Sequence, residues 1–281
     1  MLIKFEIEET FLMDMRGYLM ESDEESLRLD LKTNEKLVEK QALWAGIKPG
    51  MRVADLGCGA GKTTFHLNKL VQPAGSTVGV DVAPQRIQYA ETRYSHAGIE
   101  YVRRDIRHPL EDLGMFDFIW VRFVLEYYRL ESFDIVKNIS KILKPGGILC
   151  LIDLDSNCLR HFGLSRRLET VLLDLMKILE ERFNFDPFAG IKLYSFLYDL
   201  GYQDIDVDVI PHNLIFGEVK DIEYYNFTKK VEMTAKKSGY RFEGFENGYE
   251  GFLKEFNDYF SDLRRFTYTP LISCRGIKTM P

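Results

Sequence analysis

Two carboxylates and a glycine loop carry the clearest chemistry in this chain. Asp55 precedes the run Gly57-Cys58-Gly59-Ala60-Gly61-Lys62-Thr63-Thr64, and Asp81 lies twenty residues past Gly61. The Gly-Lys-Thr ending suggests a phosphate-binding P-loop, which needs four residues between its glycines so that backbone amides can wrap a phosphate. Here Gly57 and Gly61 enclose three, and position 56 is Leu56, so the loop is one residue short. A dinucleotide fingerprint, G-x-G-x-x-G, fails as well, because Lys62 stands where its third glycine belongs. Asp55 would repel a pyrophosphate and attract a cation, whereas Asp81 is spaced to take the two hydroxyls of a ribose. The pair suits a nucleoside with a ribose and a positive charge but no phosphates, a description that S-adenosylmethionine (SAM) meets.

The elements that must hold these residues are legible around them. Residues 35–46 form an amphipathic helix ending at Gly46, followed by a Lys-Pro-Gly turn. An apolar strand, MRVADLG, then enters the glycine loop, and a helix, KTTFHLNKLV, leaves it. Further strands are expected at 76–82, 99–105, 116–121 and 147–153, with a helix from Pro84 and another marked by Ile135, Ile139, Ile142 and Leu143. Apolar strands alternating with helices predict a doubly wound, seven-stranded, mostly parallel α/β sheet, with ligands beyond the carboxyl ends of the strands.

With VGVDVAPQRIQYA, RRDI and LKPGGIL, the stretch VADLGCGAGKTT resembles the class I SAM-dependent methyltransferases, a Rossmann-like family, and especially the broad group containing quinone-biosynthesis and natural-product enzymes. The resemblance covers roughly residues 35–153. It implies SAM as cofactor and S-adenosylhomocysteine (SAH) as product. It puts Gly57 and Gly59 against the cofactor, Asp55 near its methionine amino group and Asp81 on its ribose. Asp105 would accept the adenine amino group, with Ile106 packing on the ring. Val121 and Arg122 would supply backbone contacts to the methionine portion. Similar leading segments in this group fold over the cofactor, and Tyr18 is placed to put an aromatic face near the sulfonium.

The acceptor is less legible, because methyl transfer relies mainly on alignment and needs a base only when the acceptor is protonated. Glu126 and Tyr128, with Tyr127 between them, lie just past the fourth strand, and His161 and His212 fall in predicted pocket segments. These are the candidates for a base. The five histidines show no metal-ligand spacing, so no metal is expected. After the fourth strand the chain reads WVRFVLEYY, without the Asn/Asp-Pro-Pro-aromatic turn of enzymes that methylate nucleobase amines. The balance of 37 basic against 43 acidic side chains, net −6, also argues against a phosphate-backbone partner, the local stretch YVRRDIRH notwithstanding. The reading is methylation of an O, N or C atom of a small organic acceptor. RNA or protein acceptors, and a non-catalytic SAM-binding regulator, are the alternatives.

The rhythm breaks after Asp153. The expected organisation is an N-terminal cap segment over 1–34, a SAM-binding core over 35–153, a helical insertion over 154–187 and a core continuation over 188–211. A helical cap insertion over 212–265 and a terminal core strand over 266–281 complete it. The two insertions are expected to close over the acceptor, and Phe245, Tyr249, Phe252, Phe256, Tyr259 and Phe260 give the second an aromatic stripe at helical spacing. The acidic N-terminus lacks a signal-peptide pattern, no apolar run approaches the roughly 20 residues of a membrane helix, and four scattered cysteines fit a reducing compartment. A cytoplasmic protein without a membrane partner is expected.

Overall fold

The computed structural model describes residues 25–279. The expected cap residue Tyr18 lies outside them. In chain order the elements are α1 (Glu25–Lys32), α2 (Glu35–Ala45), β1 (Arg52–Leu56), α3 (Lys62–Val71), β2 (Ser76–Asp81), α4 (Pro84–Tyr94), β3 (Ile99–Arg103), β4 (Phe116–Arg122), α5 (Ser132–Ser140) and β5 (Leu143–Leu154). There follow β6 (His161–Phe162), α6 (Arg166–Arg182), α7 (Ala189–Asp199), β7 (Gln203–Phe216), α8 (Asp221–Ser238), α9 (Tyr249–Ser261) and β8 (Phe266–Ile277). Local chemistry sets several ends. Asn34 accepts the Leu37 N–H at 3.2 Å to start α2, Gly46 closes it with φ 102°, and Pro84 opens α4.

The chain divides into two compact units, one of them built from Glu21–Asp153, Gly190–Asp208 and Ile272–Pro281. Its strands run in the order β3-β2-β1-β4-β5-β8, with β7 also on β8, and β1 to β5 are mutually parallel. Val53, Ala54, Leu56, Phe118, Ile119 and Trp120 are fully buried, as befits strands covered on both faces. This parallel register brings the carboxyl ends of β1, β2 and β4 together, and with them Asp55, Asp81 and Arg122.

The other unit contains Leu154–Ala189 and Val209–Leu271. Its core is aromatic: Phe252, Phe256 and Phe260 of α9 are fully buried, and Phe227 of α8 stacks on Phe260 with centroids 4.9 Å apart. Leu168, Leu172 and Leu175 of α6 belong to the same cluster. The aromatic stripe thus packs a helix of this unit, and a second helix, α8, shares the work.

Three details depart from expectation. Among the described residues the sheet has eight strands, not seven, because two-residue β6 pairs antiparallel with Phe266 and Thr267 of β8. A strand runs from Gln203 to Phe216, so residues 212–216 of the expected helical insertion are strand, within the unit that contains Val209–Leu271. Pro211 does not stop it, since β7 pairs with β8 alone and a missing N–H is tolerated on an outer strand. The helix expected to include Ile142 and Leu143 ends at Ser140, and the Lys-Pro-Gly-Gly segment lies in β5, with a register shift against Phe116 and Phe118 and Gly146 at φ 75°.

Candidate functional site

The glycine loop is a tight turn hung from the neighbouring strand. Gly57 and Cys58 donate their N–H groups to the Val80 carbonyl at 2.7 and 2.9 Å. Gly57 has φ 82°, and a Cβ there would come within 2.3 Å of Val124 Cγ2, so no side chain fits. Gly59 has φ 54° and faces Leu29 of α1.

Asp55 is buried at the end of β1, where the Thr64 hydroxyl donates to its Oδ2 at 2.6 Å. Burial pushes its carboxyl up to about 7, with Asp81 adding repulsion, against the Thr64 hydrogen bond and the charge of Arg122. Arg122 ends β4 between two carboxylates. Burial brings its guanidinium down to about 10, opposed by Asp55 and Asp153, and its buried Nε has no hydrogen-bond partner. Asp153 in turn accepts the Glu126 N–H at 3.1 Å, which fixes the turn after β4. A buried carboxylate beside a guanidinium with an orphaned donor has the acceptor an ammonium group needs and the donor a carboxylate needs.

Asp81 is more occupied than its spacing suggests. Oδ1 accepts Ala83 N–H and Arg86 Nε–H, both at 2.9 Å, and Oδ2 accepts the Gly59 N–H at 3.0 Å. A carboxylate offers about four acceptor positions, so one remains for a ligand hydroxyl, and a grip on two hydroxyls requires the Gly59 amide to share. Asp105 faces its own loop. Arg107 chelates it through Nε and Nη2, the latter at 2.6 Å, and adds its backbone N–H. Burial raises the Asp105 carboxyl, but the hydrogen bonds and charge of Arg107 outweigh this and hold it below the usual carboxylate range. Ile106 beside it is buried.

The Lys62 that gives the loop its P-loop look has a different partner. Its Nζ lies 3.0 Å from the Asp30 carbonyl and 3.3 Å from Asp30 Oδ1. Asp30 is buried on α1 and also receives the Tyr94 and Tyr89 hydroxyls, at 2.6 and 2.8 Å, and Arg93 Nε at 3.1 Å. Burial raises its carboxyl, while Tyr94, Tyr89 and Lys62 together bring it below its ordinary value. These bonds fasten α1 beside the loop, with Leu29 at Gly59 and Lys32 5.1 Å above the Phe123 ring. Phe123 itself has φ 58°, an uncommon conformation for a non-glycine residue, directly after Arg122.

The four base candidates separate into two places. Glu126 is buried in the short 3₁₀ turn after β4, and Tyr128, half-buried, follows it with the Arg107 guanidinium 5.5 Å from its ring. Burial, with the nearby Asp105 charge, raises the Tyr128 hydroxyl above its usual value. His161 and His212 belong to the other unit by residue range. The His161 ring is engaged on both sides: Nε2 lies 3.0 Å from the Cys158 carbonyl, which requires an N–H there, and Nδ1 lies 2.9 Å from the Thr267 hydroxyl. Burial lowers it to about 4, so its free lone pair is spent on Thr267. His212 lies in β7, among the residues expected as insertion.

Residues 54–151 match a family model described as a methyltransferase domain. This stretch is a methyltransferase domain. Within the methyltransferase domain fall Asp55, Gly57, Gly59, Asp81, Asp105, Ile106, Arg122, Glu126 and Tyr128, whereas His161 and His212 lie outside it. An uncharacterized methyltransferase of Synechocystis sp. is 32% identical over 110 residues, 38% of this chain and 49% of that protein. A demethylmenaquinone methyltransferase of Staphylococcus aureus is 30% identical over 109 residues, 38% of this chain and 44% of that protein. The chain thus spans about half the length of the curated relatives it matches. Phosphoethanolamine N-methyltransferase 2 of Haemonchus contortus, solved with phosphomonomethylethanolamine and SAH, shares the fold, with a TM-score of 0.53 and 16% identity over 87% of this chain and 53% of that one.

Sequence reasoning missed Asp30, Thr64, Arg86 and Asp153. Of these, Thr64 and Arg86 had a signal: each sits in the first turn of the helix that follows a site carboxylate's strand. Asp30 had none, because its partners come from positions 62, 89, 93 and 94. Among the described residues no helix is long and apolar enough to cross a membrane, and no group of three or more His, Cys, Asp or Glu could hold a metal.

Proposed function

We propose that the chain is a SAM-dependent methyltransferase acting on a small organic acceptor. The observation that carries the reading is the buried Asp55 carboxylate with the charge of half-buried Arg122 near it, beside a turn in which Gly57 leaves no room for a side chain. It matches an amino-acid zwitterion, and Asp81 on the next strand offers a position for a ribose hydroxyl. Asp55 and Arg122 would hold the amino and carboxylate groups of the methionine portion, Gly57 and Gly59 would leave room for the backbone to approach, and Ile106 would pack on the adenine. Asp105, chelated by Arg107, contributes to that pocket through the shape of its loop. When bound, SAM supplies an electrophilic methyl carbon on a positively charged sulfur.

The chain's own contribution is then binding, alignment and exclusion of water. Asp55 has to be ionised to attract an ammonium group, and Arg122 favours that state. Glu126 is fixed through its backbone by Asp153 and is the better placed of the carboxylates after β4 to receive an acceptor proton. The acceptor is read as small because the net charge is negative and the turn after β4 lacks the proline pattern used on nucleobases. Residues 154–187 and 212–265 are read as the part that selects it. The test uses SAM carrying a labelled methyl group, incubated with the protein and a cell extract. The label is expected in the fraction that passes a small-pore filter; label confined to RNA or protein overturns the small-acceptor reading.

A further inference from the structure

The unit that holds Leu154–Ala189 and Val209–Leu271 contains a buried acid that no cofactor role explains. Asp155 follows β5 directly and is 8% exposed. Its backbone N–H donates to the Pro270 carbonyl at 3.0 Å, and the Ser156 hydroxyl donates to its Oδ2 at 2.9 Å. Its other oxygen, Oδ1, is buried and has no hydrogen-bond partner. Among the described residues no Lys, Arg or His side chain pairs with Asp155. His161, six residues on, has both ring nitrogens engaged elsewhere. Thr269, the neighbour of Pro270, is fully buried, and its hydroxyl is likewise unpartnered.

A buried carboxyl oxygen left without a donor is costly for a fold to retain. Its loop is held in place regardless, by Leu159 N–H on the Ser156 carbonyl at 3.0 Å and Asn157 N–H on the Pro187 carbonyl at 3.0 Å. Two neighbours, Ser156 and Cys158, adopt φ 49° and 62°. The missing partner has to donate to Oδ1 and is most favourable when it brings a positive charge. A protonated nitrogen does both, whereas an alcohol supplies the hydrogen bond alone.

We infer that Asp155 anchors a bound amine, whose N–H donates to Oδ1.

The experiment titrates the full chain, loaded with SAH, with trimethylammonium and with tert-butanol, which is similar in volume but neutral, following binding by ligand-observed NMR. Trimethylammonium should bind at least about tenfold more tightly than tert-butanol, and Asp155→Asn should weaken it by about tenfold or more while SAH affinity is retained. Equal binding of the two probes, no binding of trimethylammonium, or full retention in Asp155→Asn overturns the inference. Should Asp155→Asn fail to fold, the comparison of the two probes on the unaltered chain still decides. Should SAH fail to bind, the cofactor reading falls, and the same titration on the ligand-free chain judges Asp155 separately.

Discussion

Replacing Asp81 by asparagine separates what this residue does for the fold from what it does for a ligand. Three donors converge on it: Ala83 N–H and Arg86 Nε–H on Oδ1, and Gly59 N–H on Oδ2. An asparagine oriented to keep the first two must present its NH₂ to the Gly59 N–H, and two donors then face each other. Leaving one buried donor unpaired costs about 1–3 kcal/mol, and removing the charge opposite buried Arg86 adds to it. We therefore expect a stability loss of about 2–4 kcal/mol for Asp81→Asn. Asp81→Ala should do worse, since it removes the acceptor of both the Ala83 N–H and the Arg86 Nε–H as well. The one acceptor position left for a ribose hydroxyl is worth about 1.5–3 kcal/mol as a charge-assisted bond, which is roughly ten- to hundredfold in affinity. Calorimetry with SAH, run on folded Asp81→Asn well below its melting temperature, reads the second quantity. An affinity within about threefold of the unaltered chain would refute the assignment of the ribose to Asp81.

Asp55 gives a pH signature. Its ordinary value is 3.8 and its folded value about 7, so between the two the folded chain keeps a proton that the unfolded chain has released, and stability falls as pH rises through that window. Asp55→Asn should remove this slope in thermal melts and stabilise the ligand-free protein at pH 8, while weakening SAH by about tenfold or more. In the unaltered chain, SAH affinity should decline below pH 7 by up to about tenfold per unit. Asp30→Ala should destabilise its unit by about 3 kcal/mol. It should also accelerate hydrogen exchange in residues 25–32 and speed SAH dissociation in stopped flow, with unchanged dissociation showing that α1 does not guard the loop. Phe256→Ala should cost about 3–5 kcal/mol in the melting of the aromatic unit and leave SAH affinity within about threefold, because its ring contacts, Phe227, Phe252, Tyr259 and Phe260, all belong to that unit.

The sheet was legible because its signals are local. Apolar strands, Pro84 at a helix start and Gly46 at a helix end each act within a few residues, and β1 to β5 fall where these place them. Spacing alone located Asp55, Gly57 and Asp81 at strand ends, since a parallel register puts such ends side by side. What spacing could not give is who else competes for a side chain. Asp105 and Asp81 look alike in sequence, yet Arg107 chelates one and three separate donors fill the other. Lys62 reads as a phosphate ligand until Asp30, thirty-two positions away, takes it. The same limit hid β6, whose two residues pair with a strand more than a hundred positions on, too short to carry a periodicity of its own. It also hid the full length of β7, which runs through Pro211 to Phe216 on an outer strand.

The central claim is that the loop beginning at Gly57 is built for a cationic nucleoside rather than a phosphate. Competitive calorimetry on the intact chain, with SAM, SAH, ATP and NAD each titrated in turn, tests it most directly. The account predicts saturable one-site binding of SAM and SAH that Asp55→Asn weakens, and no heat of binding from ATP or NAD. Tight ATP binding that Lys62→Met abolishes, with SAM and SAH inert, would contradict it.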